Sequence, residues 1–316
     1  MNSTLKNKNT GAGHSTVRSR TARKKGLAAA VAGLVCLGAT LAIAPPASAS
    51  DDPYGMLVDG YRPSDQSVAP FAWAGKLKAT SDGTLMESCS ATLVGPHTII
   101  TDAHCLPDPD YTYTFYLQYN NGSSGDFASC NVAGTSTLAP YYINPKYNAS
   151  SDGDVSYDWA IANLGSCNLA PLGPGKYPAV RDKSFTPSSY INMGYPYVDM
   201  DTSSKWNSIR SHNGDPLRST AERTALSNGE LLQTCGFVSS SGTRPADKWQ
   251  SQPAVGIPCR LGSGSSGGGW LAEDSNSSSG WALVGVNGFD NNDAPGIQYT
   301  GYWDQSFLTT VNSYLS

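Results

Sequence analysis

Between the first fifty residues and the last fourteen, the chain holds no long stretch with the 3.6-residue period of a helix, and nothing constrains its fold more. Short apolar or alternating runs take its place: Phe71-Ala72-Trp73-Ala74, Ala91-Thr92-Leu93-Val94, Thr98-Ile99-Ile100, Tyr113-Thr114-Phe115-Tyr116-Leu117 and Trp281-Ala282-Leu283-Val284-Gly285-Val286. Clusters of Gly, Ser, Pro and Asn separate them, so the chain reads as all-β, with a spacing that suits small barrels or a sandwich. At the C-terminus Trp303, Phe307, Val311 and Tyr314, joined by Leu308 and Leu315, recur at helical spacing and predict an amphipathic helix docked on the body. There is no internal repeat, and the Ser/Gly tracts at 239–242 and 275–280 read as exposed loops.

The first 49 residues differ in composition. Lys6, Lys8, Arg18, Arg20, Arg23, Lys24 and Lys25, with no acid among them, precede an apolar run from Gly26 to Ala44. Pro45-Pro46 closes the run and Ala47-Ser48-Ala49 gives a small-x-small cleavage pattern, so residues 1–49 are expected to be an export signal cut after Ala49. The rival reading, an uncleaved anchor, meets an apolar run of about the minimum length for a bilayer. Such a long basic region suits a Gram-positive bacterium. Removing it leaves 14 basic against 25 acidic residues, a formal charge of −11. A nucleic-acid partner needs a basic face, so that class is excluded. Cys36 leaves with the signal, and the remaining even set, Cys89, Cys105, Cys130, Cys167, Cys235 and Cys259, predicts three disulfides in an exported chain. With no C-x-x-C pair and only His97, His104 and His212 left, no zinc site is expected.

Chemistry concentrates at Gly262-Ser263-Gly264-Ser265-Ser266-Gly267-Gly268-Gly269-Trp270. Glycines around a serine let the backbone turn tightly and present its amides to a developing oxyanion. A flexible loop is the plain alternative. Gly264-x-Ser266-x-Gly268 also matches a nucleophile elbow whose partners follow in the order serine, acid, histidine, but no histidine lies beyond His212, so Ser266 must draw its base from upstream.

His104 stands out among the candidates. It lies in Thr101-Asp102-Ala103-His104-Cys105, after an apolar run, where a Cys89–Cys105 bond would clamp it and limit the orientational entropy lost in reaction. His97 and His212 read as solvated turn residues. The acid that holds the imidazole must be buried beside it, and Asp158 opens the apolar segment Asp158-Trp159-Ala160-Ile161-Ala162-Asn163-Leu164. Asp102, two residues from His104, is the geometrically awkward rival, and a solvated surface carboxylate is the plain reading of Asp158.

Together these segments resemble the chymotrypsin-like serine peptidases, in particular their secreted bacterial trypsin-like and glutamyl-endopeptidase-like branch. Thr101 to Cys105 resembles the family's T-A-A-H-C, Asp158 to Leu164 its D-x-A-x-x-x-L, and Gly264 to Gly268 its G-x-S-G-G, in the order His, Asp, Ser. The resemblance implies two six-stranded antiparallel barrels, at residues 68–170 and 171–302, with the site between them and a C-terminal helix over 303–316. Residues 50–67 would be a propeptide or N-terminal arm. It further implies Ser266 as nucleophile, His104 as general base, Asp158 as its orienting partner, and the Gly264 and Ser266 amides as the oxyanion hole. Keeping each remaining disulfide within one barrel favours Cys130–Cys167 and Cys235–Cys259. Ser265 stands where trypsin and chymotrypsin place an aspartate that pairs with the new N-terminus, Asp102 replaces a small residue, and Gly269 replaces a proline. In the primary pocket Arg260 occupies the position of trypsin's substrate-binding aspartate, and Asn287, beside Gly288, stands where glutamyl endopeptidases have a histidine. Tryptic preference is therefore not expected. Calcium could bind at Asp152, Asp154 and the 290–293 stretch, but polar loops account for these, and neither metal nor cofactor is expected.

The functional expectation is a secreted, extracellular, monomeric serine endopeptidase acting on proteins or peptides, with no membrane association after signal cleavage. Two rivals use the same fold. One is a catalytically silent binding module, the other an esterase with the same three residues.

Overall fold

The computed structural model describes residues 62–120, 129–148, 154–197, 229–240, 242–244, 251–259, 261–291, 294–301 and 303–316. The expected export signal, residues 50–61, His212, Asp152 and Arg260 lie outside the described residues. No helix among the described residues is long and apolar enough to cross a membrane.

The first half is one antiparallel sheet. Its strands are β1 (Ala74–Ser81), β2 (Thr84–Gly95), β3 (Thr98–Thr101), β4 (Thr112–Leu117), β5 (Ser129–Asn131), β6 (Tyr141–Ile143) and β7 (Ala160–Asn163), in the order β5-β4-β1-β2-β3-β7-β6. The Phe71-Ala72-Trp73 run, expected to be extended, forms a 3-10 turn, and β1 begins only at Ala74. Asp82 and Gly83, both at positive φ (50° and 77°), make the two-residue turn of the β1–β2 hairpin, the backbone that a right-twisted pair favours. Ala133, just past β5, bridges Leu164, just past β7, and its N–H donates to Asn163 O at 2.9 Å, closing the sheet on itself. The enclosed core includes Leu77, Leu93, Ile99, Phe115, Leu117 and Ile161, all buried. Unlike an ordinary half-exposed strand, β2 is buried on both faces from Ser88 to Val94, because its outer face meets the second half at β9 and β13.

The second half contains β8 (Ala179–Val180), β9 (Tyr190–Gly194), β10 (Gln233–Val238), β11 (Gly242–Arg244), β12 (Ala254–Pro258), β13 (Gly269–Glu273), β14 (Trp281–Val286), β15 (Phe289–Asn291) and β16 (Ala294–Tyr299). They form two curled sheets, β10-β9-β13-β14-β8 and β11-β12-β16-β15. This departs in detail from two six-stranded antiparallel barrels. The first sheet has seven strands, the second half is split into two sheets among the described residues, and β8 runs parallel to β14. The Cys235–Cys259 bond joins the two sheets, from β10 to the residue after β12. Cys130–Cys167 spans the closure of the first sheet, and Cys89–Cys105 ties β2 to the turn after β3. Among the described residues the architecture is all-β, chymotrypsin-like, with a C-terminal helix.

That helix, α1 (Gln305–Leu315), starts where Asp304 accepts the N–H groups of Ser306 (2.9 Å) and Phe307 (3.1 Å), satisfying two of the amides a helix start leaves unpaired. It buries Phe307, Val311 and Tyr314, whereas Leu315 is exposed. Although it follows the second half in sequence, α1 packs on the first. Phe307 meets Trp159 edge-on at 4.7 Å, and Thr98 Oγ1 donates to Tyr314 O at 2.8 Å.

Candidate active site

Sheet register brings the acid and the base together. β3 and β7 are neighbours, with Thr101 opposite Ala160. His104 lies three residues beyond the first and Asp158 two before the second, each on a short 3-10 turn (Ala103–Cys105 and just after Val155–Tyr157). Asp158, 3 % exposed, holds the histidine at two points. Its Oδ1 accepts the His104 backbone N–H at 3.0 Å, and its Oδ2 lies 2.7 Å from His104 Nδ1. A carboxylate can only accept, so the Nδ1 proton faces Asp158 and Nε2 is left with its lone pair toward the cleft. Burial on its own would depress the His104 pKa, but the Asp158 charge and hydrogen bond outweigh it and raise the imidazole above its ordinary value.

Ser266 sits on the loop between β12 and β13. His104 and Ser266 border one cavity of about 270 Å³, also lined by Leu261, Gly262, Ser263, Phe289 and Gln298. Among the described residues no hydrogen bond joins the Ser266 hydroxyl to His104; hydrogen bonds of this kind tighten when substrate binds. The loop is tied from outside. Ser90 N–H donates to Ser266 O at 2.7 Å, Ser90 Oγ donates to Gly264 O at 2.8 Å, and Ser90 Oγ accepts the Tyr195 N–H at 2.8 Å. Gly264 has φ +92°, and a Cβ there would lie 2.4 Å from the Tyr197 ring, so no other residue fits. The amides of Gly264 and Ser266 have no protein acceptor among the described residues, which leaves both available to an incoming oxygen.

Of the residues read as the primary pocket, Asn287 and Gly288 border this cavity and Arg260 lies outside the described residues. The Asn287 amide is committed inward: Nδ2 donates to Ser265 O (3.0 Å) and Met193 O (3.2 Å), and Oδ1 accepts the Trp270 Nε1–H (2.7 Å). Its side chain braces the Ser266 loop. His97, expected to be a solvated turn residue, is half-buried, because its Nδ1 meets Cys167 O across the barrel closure.

Two residues acquire roles that the sequence did not signal. Ser90 has no distinguishing context within Cys89-Ser90-Ala91, and its hub of contacts depends on loops far along the chain. Asp102, weighed as a rival partner for His104 and noted as standing where the family has a small residue, is fully buried. Its Oδ2 stands 3.9 Å from His104 Nδ1, too far to compete with Asp158, and accepts the Gly267 N–H at 2.6 Å.

With this geometry in place, comparison with known proteins is informative. A family model described as Trypsin matches residues 58–225, a span that includes His104 and Asp158 and stops before Ser266. Among solved structures, the protease Anisep from Arthrobacter nicotinovorans is 23 % identical, with 77 % of this chain and 95 % of that one covered at a TM-score of 0.51. A Glu endopeptidase solved in complex with MPD is 19 % identical, covering 82 % of this chain and 99 % of that one at a TM-score of 0.53. At such identities the likeness is one of fold. No curated protein matches the chain.

Proposed function

We propose, from the premise that this chain belongs to the trypsin family of serine proteases, that it is a secreted endopeptidase working through Ser266, His104 and Asp158. The observation that carries this reading is the two-point hold of Asp158 on His104 at the edge of the cavity that Ser266 also borders. In the proposed cycle Ser266 Oγ attacks the scissile carbonyl carbon while His104 Nε2 takes its proton. Asp158, remaining ionised, stabilises the imidazolium. The carbonyl oxygen becomes an oxyanion held by the Gly264 and Ser266 amides, each such donor contributing about 3 kcal/mol in comparable sites. Collapse expels the amine, protonated by His104, and leaves an acyl-enzyme. Water, activated by the same imidazole, then hydrolyses it.

For the primary pocket we propose Arg260, Asn287 and Gly288 as lining residues, with Asn287 fixing the wall through its internal hydrogen bonds rather than reading the substrate side chain. No acidic side chain lines the described part of the cavity, which supports a preference other than Lys or Arg. Three disulfides and the cationic, then apolar, N-terminus support export. The mature protein would begin at Ser50 or later, which N-terminal sequencing of the exported product reads directly.

The test is a fluorophosphonate probe followed by casein and peptide-library digestion. Labelling at Ser266 with internal cleavage of casein is expected. Absence of labelling would favour a silent binding module, labelling with ester but not peptide turnover an esterase, and a clear Lys/Arg preference would overturn the pocket assignment.

A further inference from the structure

Asp102 is a second carboxyl group at the site, and the catalytic cycle above does not use it. It is wholly buried, and its Oδ1 has no hydrogen-bond partner among the described residues. Its Oδ2 shares the Gly267 N–H with Asn287 O, at 2.6 Å against 3.0 Å, and takes the shorter branch. Gly267 immediately follows the proposed nucleophile, so Asp102 reaches from the turn carrying His104 to the loop carrying Ser266. A hydrogen bond from a backbone amide is directional and short, and loops set by such bonds place reacting atoms to within fractions of an ångström. The neighbouring backbone is equally tight: a Cβ on Gly267 would lie 2.1 Å from Thr101 Oγ1 and 2.3 Å from Ser90 O.

We propose that Asp102 is a positioning residue, whose carboxyl clamps the Gly267 amide against the histidine turn and so sets where the Ser266 hydroxyl and the oxyanion amides stand. It does this as a neutral acid. An ionised carboxylate with one oxygen unpartnered in a dry site is costly. Atoms of Asp102, His104 and Asp158 all lie within 4.8 Å of one another, so two adjacent anions would repel. The groups facing Asp102 agree: burial first and the Asp158 charge second hold its pKa well above the ordinary carboxylate value, against the opposing pull of His104 and the Gly267 bond. Tyr147, itself shifted upward chiefly by burial, adds no positive charge there, and Glu87 acts on His104 with a further negative one. Keeping the proton on Asp102 leaves His104 free to act as a base.

The proposal rests on the peptidase reading, and wild-type activity tests that reading separately. A wild-type protein that neither cleaves peptides nor takes the phosphonate at Ser266 removes both. With an active wild type, steady-state kinetics of Asp102→Ala and Asp102→Asn across pH, with thermal unfolding of each to confirm folding, tests Asp102 alone. Asp102→Ala is expected to lower kcat about 10- to 100-fold with KM within about threefold. Asp102→Asn, which still accepts from Gly267 and is uncharged, is expected to recover most of that loss and to keep the acid limb of kcat/KM where the wild type has it. A folded Asp102→Ala with wild-type kcat, or an Asp102→Asn no better than Asp102→Ala, would overturn the positioning role. An acid limb displaced to lower pH in Asp102→Asn would reveal an ionised Asp102 and overturn the neutral-acid assignment.

Discussion

The two halves of the molecule make their contributions to the site in different ways. In the first, His104 and Asp158 flank paired residues of adjacent strands in a continuous sheet, so their meeting follows from the β3–β7 register and is backed by the buried core. In the second, Ser266 stands on a glycine-rich loop whose anchors cross the seam: Ser90 N–H on Ser266 O, Ser90 Oγ on Gly264 O, and Asp102 on the Gly267 amide. The proposed chemistry asks for this division. An imidazole and a carboxylate must be held in fixed orientation, which a ladder does well, whereas an oxyanion needs unpaired backbone amides, which a ladder would consume.

The largest effect applies to both halves alike. Ser266→Ala and His104→Ala are each expected to lower kcat by roughly 10^4-fold or more, since the members act as a unit, with the purified folded proteins compared on one peptide substrate. Wild-type turnover in either would remove the division of labour altogether. The next effect separates the halves. Gly267 and Gly83 share a φ of +77°, so alanine strains the backbone similarly at both, but only at Gly267 would the new Cβ strike the opposing half. Gly267→Ala should lower kcat by about 100-fold through misplacement of the nucleophile. Gly83→Ala, whose Cβ meets nothing within 4 Å, should cost about 1 kcal/mol of stability and leave kcat unchanged. Equal kinetic losses at the two sites would mean that the seam does not position Ser266.

A smaller effect follows from the raised His104 pKa. A protonated imidazole cannot accept the serine proton, so kcat/KM should rise with pH along a limb above the ordinary histidine value of about 6.5. Stability runs the other way. A group whose pKa is raised on folding stabilises fully below its unfolded value, and that contribution is lost as pH climbs through the folded one. In an inactive Ser266→Ala background, the melting temperature should therefore fall more steeply over this range with Asp158 present than with Asp158→Asn.

Much of the first half was legible because its signals are local. The runs Ala91 to Val94, Thr98-Ile99-Ile100 and Tyr113 to Leu117 lie in strands, and the carboxylate opening an apolar segment marks Asp158. Phe71 to Trp73 misled, because apolar content alone does not distinguish a strand from the buried turn before it. The seam was illegible for a different reason. Asp102 and Gly267 are 165 residues apart, and nothing near Asp102 distinguishes a surface aspartate from one sealed under a distant loop. Similarly, Asn287 reads from the sequence as a pocket residue, yet its amide is spent on Trp270, Ser265 and Met193, partners that only the folded chain brings near it.

The smallest effect tests whether the first half is self-sufficient. The helix α1 packs on it beside β7, although the chain supplies that segment only after completing the second half, and Phe307 of the helix packs on Trp159, the residue after Asp158. Asp304→Ala removes two N-terminal hydrogen bonds and should cost about 1 kcal/mol in denaturant unfolding. The first sheet is closed by Ala133 and Leu164 and carries its own two disulfides, so the Asp158–His104 geometry should survive this loosening and kcat should stay at the wild-type value. A matching loss of kcat would place the end of the chain among the supports of the acid, and the register of β3 and β7 would no longer be sufficient to orient it.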